Sequence, residues 1–572
     1  MPSNEASVSN GEAQNDWKFD PSVFAFTPRK LRVVCIGAGF SGLTMAYKLK
    51  HERPLDFVDF TIYEKNPEVG GTWFENIYPG VACYQFPFAP NPAWSSYYAT
   101  GKEIQEYIVS TADKYDLNEK IRFNTKLVKA IWSEVQGKWK LQLQQGEFVL
   151  EDEADIVLDG SGVLNQWKWP NIEGLDTFTG KLLHTARWDP EYNCEGKKIA
   201  VIGNGSSGIQ IIPSLQPKAA KLVNYIRHAT WISPNLCGQL TRDGMGTNFQ
   251  FTEEEKQQFQ DDPEKLLEYR KSIEGAVNSV YAWMISGSEE NKALYELVHG
   301  VMRSRLANSP ELAKTLIPTY EIGCRRISPG DGYLEAIQED NARITLSQIN
   351  RITPNGIETD EGEEEFDLIV CATGFNYSFI PAWELIGRDG RRLDEEWKET
   401  PEAYFATCAG GVPNYFMFGG PNYPIGHGSL PAALTFSADY MLEWIKKIAT
   451  EDIKYVYLFL SIESLSELTS SRSVVVKDSV VRAYNKFAQE TLKHCVWSKG
   501  CHAWYSKRNE GADNTVIAMY PGSALHFKAC LEKIRPEDFE IQYNTSNPFR
   551  FMGNGQMAFE RVPGADLAFY LK

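Results

Sequence analysis

The sequence predicts an α/β fold of two Rossmann-like dinucleotide-binding domains with a helical insertion, and three features predict it. The first is a strand, a glycine turn and a helix in direct succession. Val33-Val34-Cys35-Ile36 is a short β-branched apolar run of the kind buried in parallel sheets; Gly37-Ala38-Gly39-Phe40-Ser41-Gly42 follows at once, and a helical stretch continues to Lys50. The second is a repeat of that unit: Ile199-Ala200-Val201-Ile202, then Gly203-Asn204-Gly205-Ser206-Ser207-Gly208, then Ile209 to Leu215. With 44 glycines in 572 residues one bare G-x-G-x-x-G match means little, whereas two in full strand-turn-helix context are a strong signal. The third is a pair of closing strands. Asp155-Ile156-Val157-Leu158 runs into Gly160-Ser161-Gly162, and Asp367-Leu368-Ile369-Val370 runs into Ala372-Thr373-Gly374.

In chain order, residues 1–29 are rich in Asn, Ser and Glu and read as a disordered tail. The first part of the first nucleotide domain covers 30–165, a linker covers 166–190, and the first part of the second domain covers 191–232. A helical insertion follows over 233–321. Thr252 with Glu255 forms a capping-box pattern there, and Ser309-Pro310-Glu311 marks another helix start. The insertion reads as a lid or spacer. Residues 322–380 complete the second domain, and 381–572 return to the first and form the C-terminal region.

Composition removes several function classes. With 58 Lys+Arg against 75 Asp+Glu the formal charge is −17, which gives no electrostatic footprint for nucleic acid or an anionic membrane. No apolar run approaches the roughly 20 residues needed to span a bilayer, and Met1 to Asp20 has no signal-peptide pattern. Ten cysteines are scattered without a Cys-x-x-Cys pair, and no His or Cys spacing suits a metal. They read as free structural thiols in a reduced compartment, the cytoplasm. Hydrolase elbows and zinc-protease pairs are absent from the sequence.

In a glycine turn of this type the first Gly permits the bend, the second admits a pyrophosphate, the third allows close helix packing, and the helix N-terminus stabilises the anion. Two turns imply two dinucleotides. Thr61-Ile62-Tyr63-Glu64 puts a carboxylate 27 residues after Gly37, where a free ribose hydroxyl is bonded. Tyr225-Ile226-Arg227-His228 puts a guanidinium 24 residues after Gly203. A carboxylate repels a 2′-phosphate and an arginine pairs with one, so the first domain suits FAD and the second NADPH. A flavin fed by a nicotinamide points to an oxidoreductase.

The linker reads Phe178-Thr179-Gly180-Lys181-Leu182-Leu183-His184-Thr185-Ala186-Arg187-Trp188-Asp189. It resembles the F-x-G-x-x-x-H-x-x-x-W-[PD] fingerprint of the type I Baeyer-Villiger monooxygenases, flanked by both glycine turns. Gly70-Gly71-Thr72-Trp73, Tyr78-Pro79-Gly80, Gly323-Cys324-Arg325-Arg326, Ala372-Thr373-Gly374-Phe375 and Trp504-Tyr505 are similar to the same family, especially its fungal FAD-binding monooxygenases. The resemblance spans about residues 30 to 535. It implies that Gly37, Gly39, Phe40, Ser41, Gly42, Glu64, Gly71, Thr72, Trp73, Tyr84 and Val128 contact FAD. It implies that Gly203 to Gly208, Gln210, Arg227, His228, Arg325 and Trp504 contact NADP, and that Phe178, Gly180, His184 and Trp188 couple domain motion. Arg326 matches the arginine over the flavin and is the implied catalytic residue. The implied reaction uses NADPH and O2 to insert one oxygen beside the carbonyl of a small-molecule ketone, giving an ester or lactone, in fungal secondary metabolism. A permanent guanidinium suits the anionic oxygen species such chemistry requires.

The chain departs from the family pattern after Cys83, which passes directly to Tyr84-Gln85-Phe86-Pro87-Phe88. About six residues are missing there, including an Asp that in the family tunes the active-site arginine. This keeps two alternatives open: a flavin-dependent N- or S-oxygenase, and a cofactor-binding flavoprotein that has lost oxygenation. A disulfide reductase lacks its redox Cys pair, and a flavin halogenase would lack the second nucleotide unit.

Overall fold

Two all-parallel five-stranded sheets form the centre of the computed structural model, which describes residues 18–76, 85–235, 237–451, 453, 473–501, 503–507, 514–543 and 547–571. In the first sheet the strands lie in the order Tyr415–Met417, Ile156–Asp159, Leu31–Ile36, Val58–Tyr63, Ile121–Arg122. Leu31 lies opposite Val58 and Ile36 opposite Tyr63, while Val33 pairs with Ile156 on the other side. The continuous apolar character of Val33 to Ile36 follows from burial on both faces. Val33 and Cys35 pack with the helices Phe40–Tyr47 and Leu430–Thr450. Val34 and Ile36 pack against a second layer, the four-stranded sheet of Glu384–Ile386, Lys126–Ser133, Lys138–Gln145 and Phe148–Ala154.

The second sheet repeats the plan in the order Ala342–Thr345, Lys221–Tyr225, Lys198–Ile202, Leu368–Cys371, Lys181–His184. Ile199 and Val201 face one core, Ala200 and Ile202 the other. Both expected closing strands pair beside the strand that enters the glycine turn, so each sheet brings the C-terminal ends of those two strands together.

The insertion contains helices Glu253–Asp261, Pro263–Asn278, Glu289–Arg305 and Pro310–Leu316. The capping box is formed: Glu255 N–H donates to Thr252 Oγ1 at 3.2 Å and Thr252 N–H to Glu255 Oε2 at 2.7 Å. The second helix also starts where expected, with Ser309 before it and Pro310 at its first position, while the Ser309 hydroxyl donates to Gln338 Oε1. The insertion also does more than space the domains. Leu294, Val298 and Met302 pack into the second core, while Arg270 donates to the carbonyls of Phe86 and Pro87 in the first unit.

Two further expectations are corrected. Of the N-terminal tail, 1–17 lie outside the described residues, but 18–29 are pinned to the C-terminal segment. Phe26 N–H donates to Phe551 O at 2.7 Å, Asn554 N–H to Val23 O at 2.7 Å, and the Phe26 and Phe551 rings lie 5.4 Å apart. The polar composition hid two apolar residues, Val23 and Phe26, that find partners only in the folded chain. The cysteines are not all free either. Cys324 and Cys501 form a disulfide across 177 residues, a pairing set by packing rather than by local spacing. No cluster suited to a metal occurs among the described residues, and none of their helices is long and apolar enough to cross a membrane.

The chain returns to the first sheet through Asn414, which is buried with φ +51°. Its side-chain amide donates to Asp155 O at 3.0 Å and its side-chain oxygen accepts from Val474 N–H at 3.1 Å. Replacing it with alanine strands two buried backbone groups. We expect Asn414→Ala to lower the unfolding free energy by about 2–4 kcal/mol, read as a reduced urea midpoint.

Candidate active site

At the first turn the chain's own packing demands two of the three glycines. Gly37 has φ +101°, and a Cβ there would lie 2.7 Å from Gly160 O; a Cβ on Gly42 would overlap Gly37 O. The middle glycine is different. A Cβ on Gly39 would meet nothing nearer than Gly71 Cα, at 3.6 Å. No side chain caps the helix that starts after Gly39, so its N-terminal N–H groups face that space. Gly71, with Thr72 and Trp73 on the short helix Thr72–Glu75, forms the opposite wall. The gap is suited to a pyrophosphate. Ser41 is buried behind it, and the Phe40 ring lies 4.4 Å from that of Phe86.

Glu64 is buried just past the end of Val58–Tyr63. Its carboxylate accepts Ala38 N–H at 2.7 Å and Asn66 N–H at 2.8 Å, one on each oxygen, which fixes it beside the turn. Burial pushes its pKa up while the two N–H groups pull it down. Each oxygen retains a lone pair for a ribose hydroxyl. Val128 is the bulged residue of Lys126–Ser133, three positions after Thr125, whose N–H donates to Glu64 O. Tyr84, Cys83 and Tyr78-Pro79-Gly80 lie outside the described residues.

The second turn is built alike. Gly203 has φ +111° and a Cβ on it would lie 2.5 Å from Ala372 O, a Cβ on Gly208 would overlap Gly203 O, and one on Gly205 would have nothing within 4 Å. Asn204 is buried and donates to His228 O at 2.8 Å, which holds the Arg227-His228 segment at the turn. Both those side chains are exposed, and Arg227 makes no ion pair or hydrogen bond with another described residue. Ser207 and Gln210 lie on the following helix, Ser206–Leu215, and the Ser206 and Ser328 hydroxyls are bonded at 2.8 Å.

Between the units the linker residues take defined places. Gly180 is required because a Cβ would fall 2.6 Å from the Phe178 ring and 2.8 Å from Asp367 O. Trp188 packs on the second core. His184 is buried at the junction. Its ring stacks on Trp167 at 4.9 Å, Nδ1 accepts Ala186 N–H at 3.1 Å, and Nε2 lies 3.3 Å from Thr373 Oγ1. With Nδ1 accepting, the ring proton sits on Nε2. The histidine thus ties the exit of the first unit to the Ala372-Thr373-Gly374 turn of the second.

A small cleft, open to solvent, lies past the end of the first closing strand, beside the segment that follows Ala372-Thr373-Gly374-Phe375. Its walls include Asp159, Gln166, Asn376, Tyr377, Met417 and Trp504. Trp504 stacks on Tyr377 with ring centres 4.4 Å apart. Arg325 donates to Ala229 O at 2.9 Å, and Arg326 is exposed with no carboxylate paired to it among the described residues. Its charge lowers the pKa of the Tyr377 hydroxyl, against the stronger upward push of burial. Asp159 is committed elsewhere, accepting from Ser161 and from the Tyr415 hydroxyl at 2.9 Å. Tyr377 was missed in the sequence, where its only signal is its position just after Ala372-Thr373-Gly374-Phe375; Tyr505, noted there beside Trp504, was given no role.

Burial holds the His184 pKa down at about 4, and that of His427 likewise. The unfolded imidazole takes a proton near pH 6.5, so stability present above that pH is lost as pH falls toward 4. We expect His184→Gln to remove about 2 kcal/mol of the stability difference between pH 7 and pH 5, measured by urea unfolding at both.

A family model for flavin-binding monooxygenase-like proteins matches residues 30–262. The FAD-binding monooxygenase tazF of Aspergillus terreus is 64% identical over 100% of both chains. A Baeyer-Villiger monooxygenase of Pseudomonas aeruginosa is 33% identical over 94% of this chain and 95% of its own. The structure of cyclohexanone monooxygenase from Rhodococcus sp. Phi1 bound to NADP+ superposes with a TM-score of 0.71 at 25% identity, covering 90% of this chain and 100% of that one. Similarity of this extent along the whole chain, laid over a fold with two nucleotide turns, makes this protein a member of the FAD-binding monooxygenase family and an FAD-dependent oxidoreductase.

Proposed function

We propose that the chain is an NADPH-consuming Baeyer-Villiger monooxygenase that inserts one oxygen atom of O2 beside a ketone carbonyl, giving an ester or lactone, in a fungal secondary-metabolite route. The observation that carries this reading is the pair of glycine turns, each with a middle glycine that leaves room for a pyrophosphate, together with the cleft beside Trp504 and Tyr377. Ligands of open α/β sheets bind outside the carboxyl ends of strands, and this chain has two such sites. FAD, when bound at the first turn, supplies the two-electron chemistry and oxygen activation. The protein's part is binding and electrostatics. Gly39 and Gly71 admit the pyrophosphate and Glu64 holds the ribose; Arg227 with His228 receives the 2′-phosphate of NADPH. Arg325 and Trp504 border the nicotinamide side. Arg326 provides a cation that never deprotonates for the negative charge that develops on oxygen. A cytoplasmic location suits an enzyme that draws on NADPH.

One observation favours a second reading, an N- or S-oxygenase. Arg326 has no carboxylate partner among the described residues, and Cys83 passes directly to Tyr84 without the Asp segment of the family pattern. Without an acid to orient it, Arg326 stabilises the anion less well and more reduced oxygen escapes as hydrogen peroxide.

We expect Arg227→Ala to raise the NADPH KM about 10- to 150-fold with little change in kcat, the loss of one charge-assisted phosphate contact. The test of the reaction is product formed per NADPH consumed with a panel of ketones. Ester or lactone should form at a ratio well below one, and Arg326→Ala should abolish it while sparing flavin reduction. Efficient N- or S-oxide formation without ester would transfer the assignment to the second reading.

A further inference from the structure

The segment that carries Arg325 and Arg326 is held at both ends. On its C-terminal side Ser328 is bonded to Ser206, and Arg325 to Ala229, so that end belongs to the second nucleotide unit. On its N-terminal side Cys324 is joined to Cys501 by the disulfide, with the Cα atoms 6.1 Å apart. Cys324 is fully buried and Cys501 is half-buried, three residues ahead of Trp504. The neighbouring Tyr505 is buried, and its hydroxyl donates to the carbonyl of Gly323 at 3.2 Å and to that of Cys324. Asn514 holds the other half of the bridge, donating from its side chain to Cys501 O at 3.1 Å.

The bridge therefore fastens the segment bearing the arginines to the one bearing Trp504, which lines the cleft with Tyr377, a residue that senses the charge of Arg326. Arg326 has no side-chain partner of its own among the described residues, so the anchoring of its backbone decides where its charge lies. The other seven described cysteines are unpaired, which sets this pair apart.

We propose that the Cys324–Cys501 disulfide positions Arg326 and Trp504, and that a dithiol reductant opens it, making NADP binding and oxygen insertion redox-dependent. The inference rests on the reading of the second unit as an NADP site and of Arg326 as the cation over the flavin. A thiolate of the reductant attacks Sγ of Cys501, the more exposed sulfur, and the Cys324 thiolate leaves and takes up a proton. The second thiol of the reductant then displaces Cys501 and closes its own disulfide. The reductant loses two electrons and two protons, and the protein gains two thiols. Tyr505 and Arg325 remain as anchors, but the covalent tie between the two segments is gone.

The test uses the full-length holoenzyme with dithiothreitol as the dithiol. Peptide mapping under non-reducing conditions should recover a Cys324–Cys501 link that dithiothreitol removes. Reduction of the wild type, or Cys501→Ser, should weaken NADP+ binding about 10-fold and lower product per NADPH severalfold. FAD content and the flavin reduction rate at saturating NADPH should stay within about twofold. Reoxidation should restore the wild type, Cys501→Ser should no longer respond to dithiothreitol, and Cys530→Ser should respond as the wild type does. Absence of the link from the oxidised protein would overturn the proposal. So would a link that opens with NADP+ affinity unchanged, or a reduction that simply releases FAD. If no ketone yields ester under any condition, the reaction assigned to the enzyme falls, while the shift in NADP+ affinity still decides the role of the bridge.

Discussion

The close approach of two carbonyl oxygens, Gly160 O to Gly37 and Ala372 O to Gly203, is the constraint on which the rest of the structure depends. At 2.7 and 2.5 Å from the Cβ that either glycine would carry, each closing strand leaves room for hydrogen alone. That contact aligns the ends of neighbouring strands, and the third glycine then brings the helix down onto the first. What is left open is the space before the middle glycine, bounded by backbone N–H groups at a helix start. A nucleotide-sized anion site is thus a by-product of how tightly a parallel sheet can be closed, and the chain builds it twice.

The two copies differ in what stands at the end of the next strand. Glu64 is buried and held by two N–H groups, so it is preorganised and cannot swing away from a ribose. Arg227 is exposed and unpaired among the described residues, a cation open to a phosphate that arrives from solvent. On the proposed reading, that contrast suits a resident cofactor at the first turn and an exchanging one at the second. His184 lies at the junction of the units, where burial lowers its pKa and its hydrogen bonds run to backbone and to Thr373.

Much of this was legible in the sequence because it is local. The strands, both turns, Glu64, Arg227 and the capping box at Thr252 each depend on residues a few positions apart or on a fixed strand-turn-helix spacing. What escaped was set by contacts between distant segments. Phe26 and Val23 find partners past residue 550, Cys324 finds Cys501, and Tyr377 meets Trp504 only once the second unit and the C-terminal region are folded together. Ser309-Pro310 marked a helix start locally, and the helix begins there, but that the Ser309 hydroxyl bonds Gln338 is again a contact between distant segments.

The central claim is that the two turns hold two different dinucleotides, FAD at the first and NADP at the second. The most direct measurement is the FAD and NADP+ bound per chain in the wild type, Gly39→Ala and Gly205→Ala, by absorbance and equilibrium dialysis. The account predicts one of each in the wild type, loss of FAD retention in Gly39→Ala, and loss of NADP+ binding with FAD retained in Gly205→Ala. Normal NADP+ binding by Gly205→Ala, or FAD retained by Gly39→Ala as in the wild type, would contradict it.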